Sequence, residues 1–157
     1  MRMNGKWLPQ DKALAVRLYS EAAQAGDVES QYRMGTVFDD GISVKKDATK
    51  AKEWYQKAAD NGHLVAKCRL AIIAGDLQQA ISWQEKAITE NSTAENQAGL
   101  AILYAARGEG DDYKKALKMC VSLENSAQGD DNTKHVLAII YFHGIGVDQD
   151  LETALYW

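Results

Sequence analysis

The sequence predicts an all-α solenoid of antiparallel αα-hairpins, and three observations carry that expectation. A fourteen-residue stretch, Gly41-Ile42-Ser43-Val44-Lys45-Lys46-Asp47-Ala48-Thr49-Lys50-Ala51-Lys52-Glu53-Trp54, has a twin 103 residues later that runs from Gly144 to Trp157. Both read G-I-x-V-x-x-D-x-x-x-A-x-x-W. A shorter mark, Asp-x-x-x-Ala, recurs at Asp11/Ala15, Asp47/Ala51, Asp76/Ala80, Asp112/Ala116 and Asp150/Ala154, with alanine spacings of 36, 29, 36 and 38. Repetition near that period indicates stacked supersecondary units. Composition agrees: one proline in 157 residues, with strings rich in Ala, Leu, Lys and Glu, favours helix throughout.

Each element has a local reason. Aspartate caps a helix N-terminus by accepting from orphan amides. Alanine four residues later and a bulky residue seven later (Leu18, Trp54, Trp83, Met119, Trp157) share one helical face. The small residue admits a neighbouring helix and the large one fills the groove beside it. These B helices are expected at about 11–25, 47–61, 76–90 and 112–126, with a start at 150.

A second set, the A helices, is expected at about 27–39, 63–74, 92–106 and 130–143. Each follows a residue suited to a left-handed helix cap, namely Gly26, Gly62, Asn91 and Gly129. Their cores align as Met34-Gly35, Leu70-Ala71, Leu100-Ala101 and Leu137-Ala138, followed on the same face by Phe38, Ala74, Tyr104 and Tyr141. Short turns make neighbouring helices antiparallel. The chain reads as one domain, 1–157, with a half repeat at 1–26 and repeats at about 27–62, 63–91, 92–129 and 130–157, the last incomplete.

The pattern Gly144-x-Gly146-Val147-x-x-Asp150-x-x-x-Ala154-x-x-Trp157 resembles Sel1-like repeats, which are related to the tetratricopeptide repeat but have a longer glycine-rich turn. So do Met34-Gly35 and Trp54-Tyr55-x-x-Ala58-Ala59-x-x-Gly62, with its echo Leu18-Tyr19-x-x-Ala22-Ala23-x-x-Gly26. The resemblance covers nearly the whole chain and is strongest at the first and last full repeats. It implies a right-handed superhelix that acts as an adaptor, with no enzyme activity. The last B helix stops one or two turns in, so the expectation is a piece of a longer repeat protein. The alternative is head-to-tail self-association, with a neighbour's N-terminal helix docking on the open C-terminal repeat.

Charge and motifs narrow the function. A formal charge of −4 and a pI near 5.4 argue against nucleic acid or an anionic membrane surface as partner. No 18-residue apolar run exists to span a membrane, and residues 1–9 lack the apolar core of a signal peptide. Cys68 and Cys120 read as buried thiols, so a cytoplasmic setting is expected. HExxH, CxxC, GxSxG, P-loop and dinucleotide fingerprints are all absent. His135 and His143 stand eight residues apart, two helical turns rather than the one turn that a shared metal needs. No enzyme, metal or cofactor is expected.

That leaves binding. In a Sel1-like superhelix the A helices line the concave face. With Gly35 and Phe38 turned toward helix B, helical geometry puts Glu29, Arg33 and Thr36 on the opposite side. Equivalent positions include Arg69 and Ile72, then Ile102, then Val136, Ile139 and His143. Arg33 and Arg69 form an expected basic pair suited to carboxylates. Ile72, Ile102 and Ile139 form an expected apolar stripe. The reading is a protein- or peptide-binding adaptor. The alternative is a bacterial immunity protein, whose acidity would steer it to a basic toxin.

Overall fold

The computed structural model describes residues 9–125, together with Lys134, Leu137, Ala138, Tyr141, Asp150, Glu152 and Thr153. Among them are seven α-helices and no strand: α1 (Pro9–Gln24), α2 (Val28–Asp40), α3 (Ala48–Asp60), α4 (Leu64–Ile73), α5 (Leu77–Glu90), α6 (Ala94–Arg107) and α7 (Asp112–Asn125). Odd-numbered helices are the B set and even-numbered ones the A set, in the alternation that the sequence predicts. Lys134, Leu137, Ala138 and Tyr141 are helical within the expected 130–143 span.

Local chemistry sets most boundaries. The Asp27, Asp47 and Asp76 carboxylates accept from the amides of Ser30, Lys50 and Gln79, so each caps a helix. Thr93 does the same for Asn96. The two long turns close alike: the Asp47 amide donates to the Phe38 carbonyl at 2.9 Å, and the Asp150 amide to the Tyr141 carbonyl at 3.0 Å. The repeat of 103 residues is thus a repeat of hydrogen bonds as well as letters.

Some expectations need correction. The first helix starts at Pro9 rather than residue 11, so Asp11 lies inside it. Asp112 does not cap; its buried carboxylate takes a paired bond from Arg107 at 2.6 and 2.8 Å. The left-handed cap holds at Gly26 and Gly62 but fails at Asn91, whose φ of −147° is extended. Ala74 falls outside α4 and is exposed, because the short Gly75-Asp76 turn ends that helix at Ile73. The residue seven past the aspartate is not the buried one either. Trp54 and Trp83 are half-buried, with Lys57 and Lys86 over their rings at 4.2 and 4.4 Å. The buried residue sits four past the alanine: Tyr55 after Ala51 and Gln84 after Ala80. Ala51, Tyr55 and Ala58 fall at steps of four and three, which centre the inner face.

Two compact units emerge, one up to Leu70 and one from Ala71, the boundary falling within α4. In the first, α2 packs against both α1 and α3. Its core joins Tyr32, Ala51, Tyr55, Ala58, Ala59 and Ala66, flanked by Val28, Phe38, Val65 and Leu70. Gly35 makes this possible: a Cβ there would lie 2.4 Å from the Tyr55 ring. In the second unit, α6 packs against α5 and α7. Ala101 and Ala116 are fully buried there, and Gln84 donates to the Asn96 carbonyl at 3.0 Å. Cys68 and Cys120 are buried and form no disulfide, and burial pushes the Cys68 thiol up to about 11.

Candidate functional site

In the first unit the expected polar face gathers around one ring, Tyr32. Glu29 and Arg33 lie one turn apart on α2, and the Arg33 Nε–H donates to Glu29 Oε1 at 2.7 Å. The Arg33 guanidinium stands over the Tyr32 ring, 5.5 Å from its centroid. His63 stacks on the same ring, with centroids 4.5 Å apart and planes 16° from parallel. Arg69 of α4 is hydrogen-bonded to the Tyr32 side chain and lies near Tyr55. Thr36 turns inward: its hydroxyl donates to the Tyr32 carbonyl at 3.4 Å and is hydrogen-bonded to Tyr55.

His63 and Tyr32 are the residues that reading the sequence missed. His63 Nδ1 accepts the Ala66 amide at 3.1 Å, so the ring caps α4 just as Asp27 caps α2. With Nδ1 accepting, Nε2 carries the proton and meets Glu29 Oε2 at 3.1 Å. The available signal was positional, since His63 follows Gly62 as Asp27 follows Gly26. Behind this layer Tyr55 is 1% exposed; burial, opposed by its Thr36 bond, pushes its hydroxyl up to about 12.

In the second unit Ile72 and Ile102 are both 37% exposed, and Ile73 beside them 49%. The remaining expected positions, Val136, Ile139 and His143, lie outside the described residues, as does most of the C-terminal repeat. Among the described residues no cluster of three His, Cys, Asp or Glu side chains could hold a metal. No helix among them is long and apolar enough to cross a membrane. The chemistry on offer is recognition: arginine forks and a carboxylate beside a buried Tyr32 ring on which His63 stacks.

Rows of helical hairpins that present such side chains from successive A helices define a helical-repeat protein. The chain belongs to the Sel1 repeat family, whose profile matches residues 1–27, 28–63, 70–92 and 135–157. It is similar to the Sel1-repeat-containing protein YjcO of Escherichia coli K12, at 34% identity across 88% of this chain. It spans 62% of that relative's length. A 68-residue portion is 34% identical to the chitin synthase regulator SKT5 of Malassezia restricta, covering 43% of this chain and 5% of that protein. Among solved structures it is similar to c5321, titled a protective antigen present in uropathogenic Escherichia coli strains and displaying an SLR fold. That match has 29% identity and a TM-score of 0.58, over 90% of this chain and 32% of the other. A Sel1 repeat protein from Oxalobacter formigenes, at 24% identity and TM-score 0.59 over 92% of this chain and 59% of its own, shares the fold. Sel1-repeat proteins generally mediate protein–protein interaction as non-catalytic scaffolds.

Proposed function

We propose that this chain is an adaptor whose A-helix faces bind an acidic segment of a partner protein in a cytoplasmic, reducing setting. The observation that carries the reading is the gathering of Arg33 and Arg69 at Tyr32, beside Glu29 and His63. One guanidinium over the Tyr32 ring and another hydrogen-bonded to its side chain are pre-aimed, so less side-chain entropy is lost on meeting a carboxylate. Exposed Ile72 and Ile102 supply apolar contact on the second unit. Two buried cysteines that form no disulfide support the reducing setting.

The test is affinity capture from native lysate with wild-type protein and with the Arg33→Glu/Arg69→Glu double variant. Reversal should weaken capture of the main partner by about tenfold, the scale of losing charge-assisted contacts, while leaving helicity unchanged. Equal capture by both removes this face from consideration. The formal charge of −4 favours a second reading, inhibition of a basic toxin. A captured partner that is basic, and whose toxicity the chain suppresses, would select it.

A further inference from the structure

One carboxylate of the first unit meets groups from two different hairpins. Glu29 Oε1 accepts from the Arg33 Nε–H at 2.7 Å, and Glu29 Oε2 meets His63 Nε2 at 3.1 Å, 34 residues along the chain. A glutamate four residues before an arginine is an ordinary helix pair. The reach to His63 is not, because it joins α2 to the turn that precedes α4. Nor does the repeat dictate the glutamate. Arg69 follows Arg33 by 36 residues, and the residue four before it is the uncharged Val65.

The members of this cluster are held unequally. His63 is fixed on three sides. Its Nδ1 accepts the Ala66 amide at 3.1 Å, and its ring stacks on buried Tyr32. The turn that carries it is tied to α2 where Asn61 Nδ2 donates to Gln31 Oε1 at 3.1 Å. The His63 side chain is accordingly 14% exposed, and that of Arg33, over the Tyr32 ring, 38%. Glu29 is the outermost at 55%. Exposed ion pairs of this kind contribute little to stability. The carboxylate can therefore swing away at small cost, while the guanidinium and imidazole that it meets stay in place.

We propose that Glu29 is a latch on this site: its carboxylate holds the place that a partner's carboxylate takes. Binding is then an exchange of one carboxylate for another, and the charge of Glu29 sets the affinity. This role rests on the reading of the face as a receiver of acidic segments. An arriving carboxylate finds the Arg33 Nε–H already engaged and a like charge beside it, so only a segment acidic enough to displace Glu29 is retained. A residue that merely aimed Arg33 would act in the opposite direction, because losing it would weaken binding.

Glu29→Gln separates the two roles, since it keeps the length of the side chain and removes its charge. The probe is fluorescein-labelled hexaglutamate, followed by fluorescence anisotropy on the full chain, with circular dichroism to check that each variant is folded. Glu29→Gln should bind the probe about fivefold more tightly than wild type, the factor for two like charges a few ångströms apart in water. The gain should shrink between about 50 and 500 mM salt, as screening removes the repulsion. Adding Arg33→Glu and Arg69→Glu to Glu29→Gln should abolish binding. Equal or weaker binding by Glu29→Gln overturns the latch. If wild-type binding is then still lost in Arg33→Glu/Arg69→Glu, the acidic-segment face stands without it. Tighter binding that survives both arginine reversals places the probe elsewhere and also overturns the latch. So does a probe that binds neither wild type nor Glu29→Gln, and capture from native lysate then judges the face by itself.

Discussion

Replacing Gly35 by alanine separates two forces that act in opposite directions. Gly35 lies inside α2, where helix propensity alone makes alanine more stable by about 1 kcal/mol. The close approach of α3 reverses that. An added Cβ would stand 2.4 Å from Cδ1 and Cε1 of Tyr55, against the roughly 3.5–4.0 Å of ordinary carbon contact. The ring would have to retreat by about 1 Å, yet it is 1% exposed, and its hydroxyl is bonded toward Asp39 and Thr36. Overpacking of this kind costs about 1–3 kcal/mol, and a ring so confined belongs at the upper end. Subtracting the propensity gain leaves a net loss of about 2 kcal/mol. For a chain of this length that lowers Tm by about 4–8 °C. Urea and thermal unfolding followed by circular dichroism measure it. Adding Tyr55→Leu to Gly35→Ala should cost less than the sum of the two single changes, because the smaller side chain makes room. An alanine variant as stable as wild type, or more so, would refute the argument that ring contact outweighs propensity.

Further outcomes follow from single positions. Ser43 holds φ of +58° in the turn where the twin has Gly146. Ser43→Gly should therefore stabilise by up to about 1 kcal/mol in urea unfolding, by relieving a left-handed backbone that side chains disfavour. Asp47→Ala removes the cap on Lys50 and should cost about 1 kcal/mol in the same assay. The bond from Arg107 holds the Asp112 carboxyl below the ordinary carboxylate range, against the opposing effect of burial. Its stabilisation is full above that range and is lost as pH falls through the lowered folded value. Asp112→Asn should accordingly flatten the acid limb of the stability–pH curve, and an unchanged limb would contradict the pairing.

What could be read from the letters was what depends on short separations. The cap at Asp47 acts on Lys50, three residues on, and the turn that returns at Asp47 began at Phe38. Such bonds need no knowledge of neighbouring helices, so helix order and most boundaries followed from the repeat. Asp112 escaped because its partner Arg107 lies across a turn whose glycines carry the chain back on itself. The inner face of each B helix escaped because Trp54 and Tyr55 are adjacent, and only the position of α2 decides which is covered.

The sequence by itself determined an all-α repeat of A and B helices, with its family, its long turns and the caps at Asp47 and Asp76, because those follow from contacts within a few residues. Tertiary structure decided what the repeat presents. Glu29 meets His63 across 34 positions, and Arg69 reaches Tyr32 from two helices away. Tyr55 is buried where Tyr19 is exposed, although the two stand at the same place in their repeats. Burial and side-chain convergence depend on which helix lies opposite, and no local pattern carries that.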